Sequence, residues 1–506
     1  MAIDPCEVDR LEQNASEVHR LVQSTRNNFA PVNRIPPELF LLIPQYWSDD
    51  CRDQSLIAMT HVCQGWRETL TGYPFLWTRL DFLDCGKTSV YIERSKSSPL
   101  KLSLREDGTP RHRVDALLLV VPHIGRIDTL TIKGGKSLLQ TLTTYFSCPT
   151  PLLRFLSIEL ECTPPLPLSA GLFNGDLSSL CKLSLAGVIP HLPWQQLPKL
   201  TTFKLQDVPG DYISVTSLLD FFTNAPLLNK VELFSMPEKY DASPGRIVTL
   251  PCLENLVISA GRNNPSRLLN HLCVPAGASL RLRLDPAESP LPEVLTNSPE
   301  NLHNIRFVTS AYLRFAMSNF SVQLNGPSGE LHMECTRAAS SYLSAATALD
   351  RSSLQSLDYF DLSQIQRLVV STYEYATDQI NTSPPSHILN MMKDLRTLFL
   401  NRGNSRPFFV SLDPGKNPSK RVLCPKLEHL IIYTTLEVLF NIPELINMAK
   451  ERASNGAKLH SITLASKNVD FCEEDLLELQ KHVIHFECRT CESVPEWDSI
   501  LDGGSD

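Results

Sequence analysis

The chain has 506 residues, 42% apolar and 20% charged, with a net charge of −8 at neutral pH. That is the composition of a globular protein with room for several domains or one long repeat array. The acidic balance argues against nucleic acid and anionic membrane surfaces as partners. Apolar runs such as Ala116 to Val121 are too short to cross a bilayer, and Met1 to Arg20 lacks the apolar centre of a signal peptide. Fourteen cysteines are scattered singly, which reads as free thiols in a reducing compartment, cytoplasm or nucleus.

In chain order, Glu7 to Arg26 places Val8, Leu11, Ala15, Val18 and Val22 at spacings of 3, 4, 3 and 4. This predicts an amphipathic helix that either binds a partner or a second copy, or else packs back on the apolar stretch beyond it or frays. Asn27 to Arg34, with Pro31 and no periodicity, reads as a linker.

Ile35 to Phe82 is too rich in apolar residues to bury them all within itself. A first helix opens at Pro36-Pro37-Glu38, since proline and an acid both suit a first turn. Leu39, Leu42, Ile43 and Tyr46 fall on one of its faces, with Phe40 and Leu41 off that stripe. Pro44 lacks an N–H and clashes with the preceding turn, so the helix is expected to kink or stop near Ile43. A second helix is predicted from about Gln54 to Leu70, carrying Leu56, Met59, Val62, Cys63, Trp66 and Leu70. Phe75-Leu76-Trp77 and Leu80 close the stretch.

The order I-P-P-E-L, apolar helix, V-C-Q-G-W-R, F-L-W-T-R-L resembles the F-box motif. The resemblance implies a small helical module that docks on the Skp-type adaptor of a cullin ubiquitin ligase. Carried over onto this chain, the adaptor-facing residues would be Ile35, Pro36, Leu39, Ile43, Val62, Cys63, Trp66 and Trp77.

Beyond about Gly86 an L-x-x-L-x-L pattern recurs, starting at residues 127, 153, 180, 200, 228, 253, 302, 365, 395, 427 and 459. An earlier unit is suggested at Pro99 to Leu104 and a weak one at Leu280-Leu282-Leu284. The first five intervals, 20 to 28 residues, match a leucine-rich repeat; later ones of 30 to 32 are slightly long. The last two apolar residues of each unit share one face of a short strand, and each unit leaves that face open until a neighbour covers it. Ser217 to Asn224 and Glu473 to Lys481 are predicted as returning helices. Alternation on both sides of Asn325 to Gly329 predicts a hairpin that interrupts the array. The array resembles the irregular leucine-rich arrays that follow F-boxes in many fungal proteins. The expected fold class is therefore α/β, an all-helical module and then a horseshoe of short parallel strands backed by helices and loops. Its segments are 1–30 (helix and linker), 31–82 (module), 83–491 (array) and 492–506 (acidic tail).

Chemistry-bearing patterns are sparse. His482, His485, Cys488 and Cys491 suggest zinc ligands. A strand there would send the two histidines, His482 and His485, to opposite faces, and no second C-x-x-C stands at ribbon spacing. No catalytic motif is found, so neither catalysis, metal nor cofactor is expected of this chain. The expected site is a surface, formed by the residues between the core leucines. Lys204, Glu232, Phe234, Arg306, Phe399 and Tyr433 are the candidates for holding a target protein. Two functions are open: substrate-recognition subunit of an adaptor–cullin ubiquitin ligase, or a protein-binding scaffold unconnected with ubiquitin. Neither requires nucleic acid or a membrane.

Overall fold

The computed structural model describes residues 5–47, 49–81, 85–106, 110–162, 164–169, 171–190, 197–234, 241–243, 245–259, 265–284, 299–315, 319–336, 360–372, 385–401, 405–416, 421–434, 441–466 and 471–490. The expected tail 492–506, and Cys491, lie outside them. The described chain is mixed α/β with extensive, mostly parallel sheet, and no helix among the described residues is long and apolar enough to cross a membrane. It divides into two compact units, 1–162 with 169–180, and 163–168 with 181–506.

The first unit opens with helix α1 (Pro5–Asn28), longer at both ends than its periodicity predicts. The linker after it closes a single 3-10 turn, Pro31–Arg34. Helix α2 spans Pro37–Leu42 and gives way to a 3-10 turn, Ile43–Gln45, where Pro44 removes the next helical donor. The predicted second helix is two. Helix α3 is Asp49–Thr60 and helix α4 is Gln64–Gly72. The break is capped from both sides. Arg67 donates from Nε to the Thr60 carbonyl at 2.9 Å, and the extended Cys63 takes the N-cap, its Sγ accepting from Trp66 N. Gly65, a poor helix former just inside α4, weakens any continuous helix there.

Four parallel strands complete this unit: β1 (Arg79–Leu80), β2 (Leu100–Arg105), β3 (Ile127–Gly134) and β4 (Phe155–Leu160), paired in chain order. Helix α5 (Cys85–Ser95) connects β1 to β2. It locks the helical module to the strands: Lys87 Nζ reaches both Asp53 and Asp81, and Tyr91 meets Trp77 edge-on at 5.0 Å.

In the second unit the strands are β5 (Lys182–Ala186), β6 (Thr202–Gln206), β7 (Lys230–Leu233), β8 (Asn255–Ser259) and β9 (Ser279–Leu284), parallel and in chain order. Then the order reverses. β10 (Ser310–Phe315), β11 (Asn319–Gly326) and β12 (Gly329–Thr336) form an antiparallel meander in which β12, the last made, pairs with β9. β10 pairs with β13 (Arg367–Thr372), and β14 (Thr397–Asn401), β15 (His429–Thr434), β16 (Ser461–Ser466) and β17 (His485–Thr490) continue in parallel. The expected hairpin is present, but with a third strand. The unit read at Leu302-Ile305-Phe307 is not a strand: it closes a 3-10 turn, His303–Ile305, tied to Val274 by one bridge.

The register survives the reversal. Leu280 of β9 faces Leu331 of β12, which faces Leu324 of β11, then Ala311 of β10 and Leu368 of β13. All five are buried, so one apolar row runs unbroken through the meander. Each such leucine contributes about 2 kcal/mol by leaving water, and a one-residue slip would turn the row outward. Close backbone approach holds the meander's turn. A Cβ on Gly326 would lie 1.8 Å from the Phe307 carbonyl oxygen, inside any permitted contact.

Candidate functional site

The helical module buries the residues that lie off its predicted stripe. Phe40 and Leu41 are in the core with Leu56, Leu70 and Leu76, and Phe40 packs on Trp66 with ring centroids 4.7 Å apart. The stripe itself faces solvent. Leu39 is 55% exposed, and Leu42, Ile43 and Tyr46 are open beside it. Val62, in the turn between α3 and α4, is 59% exposed, and Ile57 and Phe75 are also open. Seven large apolar side chains exposed between Leu39 and Phe75 form an excess that a self-contained module has no use for.

Of the eight sequence-read docking residues, Ile35, Pro36, Leu39, Ile43 and Val62 are exposed, and Cys63 and Trp66 are half-buried. Trp66 is oriented from behind: its Nε1–H donates to Asn33 Oδ1 at 2.5 Å. Ile35, Cys63 and Trp66 line a groove of about 670 Å³, whose other wall is the polar side of α1 at Arg20, Gln23, Ser24 and Asn27. Trp77 departs from expectation. It is 0% exposed, donates its indole N–H to the Leu70 carbonyl and lies beneath the Arg94 guanidinium, 4.3 Å from the ring centre. It belongs to the core that shapes the module, because its large ring and single donor are both satisfied inside.

The second candidate surface is the face opposite the leucine rows in the second unit. Across β5 to β12 this face is polar. Ser184, Lys204, Glu232, Val257, Arg281 and His332 sit in one register row. Lys204 Nζ stands 5.1 Å from the Phe234 ring centre, and Lys230 pairs with Glu232 at 2.7 Å. Arg281 and Arg283 approach Glu330 and Glu334 at 3.6 and 3.9 Å. Burial pushes the His332 imidazole below its ordinary range, and Arg281 and Arg283 add to that push while Glu334 and Glu330 oppose it.

The same row continues as Gln323, Tyr312, Val369, Phe399 and Ile431, and there its chemistry changes. Phe399 and Tyr433 are only 3% and 2% exposed, clustered with Val369 and Ala465 against Tyr312 and Ile431. They are core residues of a second apolar layer, not exposed anchors. Runs such as Leu368-Val369-Val370 and Ile431-Ile432-Tyr433 signal this, since a strand apolar at successive positions is covered on both faces. Arg306 departs too. It comes just after the 3-10 turn, off the strand row, beside exposed Phe307 at 5.7 Å. Lys204, Glu232 and Phe234 are therefore the sequence-read target residues that come together. Sequence reasoning missed Arg281, Arg283 and His332, although the alternation in Leu280 to Leu284 marks both arginines as outward.

At the C-terminal end His482 ends the helix Glu473–His482, its Nε2 3.3 Å from Glu478. His485 opens β17 and stacks edge-on with His460 at 5.0 Å, which in turn meets His429 at 5.4 Å. Among the described residues no group of three or more His, Cys, Asp or Glu has metal-holding geometry. No family model and no curated protein matches the chain in comparison.

Proposed function

We propose that this chain is the substrate-recognition subunit of an SCF-type ubiquitin ligase. The helical module holds a Skp-type adaptor, and through it a cullin. The strand series, read as an irregular leucine-rich-repeat array, holds the target. Bond-making belongs to other subunits. The chain's contribution is tethering, which raises the effective concentration of target lysines near the charged ubiquitin carrier.

One observation carries this reading: the predicted docking stripe, Leu39, Ile43 and Val62, is exposed while its neighbours Phe40 and Leu41 are buried. A helix that turns its periodic apolar face to water is built for a partner. On the target side, Lys204, Glu232 and Arg281 alternate in charge along the row, with Val257 between the last two and His332 beyond, which favours a polar, mixed-charge segment over an apolar one. The full chain is expected to bind a Skp-type adaptor at micromolar concentration or tighter in calorimetry. Leu39→Asp with Val62→Asp should weaken binding at least about tenfold, because both side chains are exposed contact residues. Absence of adaptor binding, or binding unaffected by this pair, leaves the non-catalytic scaffold in its place.

A further inference from the structure

Helix α1 presents its faces in reverse. At 100° per residue, Arg20, Gln23, Ser24 and Asn27 share one side, and that polar side is the one lining the groove against the helical module. Val8, Leu11, Ala15, Val18 and Val22 share the other side, turned away from the module. Every residue from Cys6 to Gln23 is exposed, Leu11 and Val18 by 61% and 60%. The apolar stripe therefore has no cover among the described residues of its own unit, and burial of such a stripe is what normally holds a helix of this length together in water.

The charges along α1 select the occupant. Acids exceed bases in its first half, Glu7, Asp9 and Glu12 against Arg10, and bases exceed acids in its second, Arg20 and Arg26 against Glu17. With Val8, Ala15 and Val22 as heptad a and Leu11 and Val18 as d, Glu12 and Arg26 fall at flanking e positions and Glu7 at g. We propose that α1 pairs antiparallel with α1 of a second copy of this chain, the apolar stripes forming the seam. Antiparallel pairing sets Ala15 opposite Val18 and Leu11 opposite Val22, so small residues meet larger ones. It also brings Glu12 of each copy to Arg26 of the other, twice over, and aligns the two helix dipoles favourably. Parallel pairing would instead bring Glu7 of each copy against Glu12 of the other, a repulsion without compensation. No docking residue of the module takes part, so the pairing stands independently of the adaptor reading.

Sedimentation equilibrium of the full chain, without adaptor, tests it up to about 100 µM, where a seam of this length should associate. A reversible monomer–dimer equilibrium is expected. Leu11→Asp with Val18→Asp should raise the dissociation constant at least about tenfold while leaving the melting temperature unchanged at concentrations where the native chain is monomeric, because both side chains are solvent-exposed in the monomer. Glu12→Arg should weaken the dimer about fivefold, and Glu12→Arg with Arg26→Glu should restore it. A monomer throughout, or a dimer indifferent to the two aspartates, overturns the pairing. A dimer strengthened by Glu12→Arg alone overturns its antiparallel sense, since that change would relieve the parallel Glu7 contact.

Discussion

Trp77 donates its indole N–H to the carbonyl of Leu70 at 2.9 Å, stitching the turn after α4 back onto the last turn of that helix. Removing the ring leaves a cavity against Tyr91 and strips the Leu70 carbonyl of its indole donor, leaving it the longer 3.4 Å bond from the Tyr73 N–H. Trp77→Ala should therefore cost about 3–5 kcal/mol, read as a shifted denaturation midpoint. Trp77→Phe, which keeps most of the ring and loses the donor, should cost about 1–2 kcal/mol. The exposed pair Leu39→Asp and Val62→Asp should leave the midpoint in place. The two sets of variants separate a residue that builds the module from residues that it offers to a partner.

Phe399 and Lys204 share a register row yet differ in role. Phe399→Ala should destabilise by about 3–4 kcal/mol because the ring is enclosed by Val369, Tyr433 and Ala465. Lys204→Ala should cost under about 1 kcal/mol, the worth of a partly exposed contact with the Phe234 ring. Urea denaturation of both variants checks the contrast.

Cys424 and Arg452 predict a pH profile. Arg452 is fully buried and spans the Leu423 and Cys424 carbonyls at 2.8 and 3.0 Å. Burial lowers its guanidinium to about 10 and raises the Cys424 thiol to about 12, with the neighbouring partner opposing each shift. Above the ordinary thiol range the unfolded Cys424 sheds its proton while the folded one keeps it, so stability falls as pH rises past about 9, by about 1.4 kcal/mol per unit. From about pH 10 the folded Arg452 releases a proton that the unfolded chain retains, which favours the folded state and flattens the decline. The difference in unfolding free energy between the native chain and Cys424→Ala should show this step. The folded thiol should also resist iodoacetamide at pH 8, whereas alkylation after denaturation should be prompt.

Gly326 admits no side chain. Gly326→Ala must push its Cβ away from the Phe307 carbonyl oxygen, and both partners are backbone. The variant should lose at least about 2 kcal/mol, and protection of the β11 and β12 amides in hydrogen exchange should fall before that of β5 to β8.

Strand positions could be read from the sequence because the L-x-x-L-x-L rhythm is local: it states which side chains share a face, and twelve of its units reappear as strands in register. The misreading at Leu302 has the same root. That triplet carries the rhythm, but Asn304 is buried there and donates to the Glu330 carbonyl, a long-range bond that a local pattern cannot announce. Periodicity marks Leu39 and Ile43 as one stripe without saying what that face meets, and only the resemblance to a docking motif turns it outward, where the fold has it exposed. Trp77 and Phe399 mislead for one reason. An aromatic residue is equally suited to an interface and to a core, and only the surrounding fold decides between them.

The reversed meander also sets an order of assembly. As the chain leaves the ribosome, β6 to β9 can each add to the strand before it as soon as it is made. β10 cannot, because its place beside β9 is reserved for β12. The growing edge at Leu284 must therefore stay open until Thr336 has been synthesised and β10, β11 and β12 have folded back as a block. During that interval an unpaired, leucine-rich strand edge is presented to every other chain nearby. The hazard of misassembly is concentrated at this one seam, so chaperone dependence of the nascent protein should be greatest for chains stalled between these two residues.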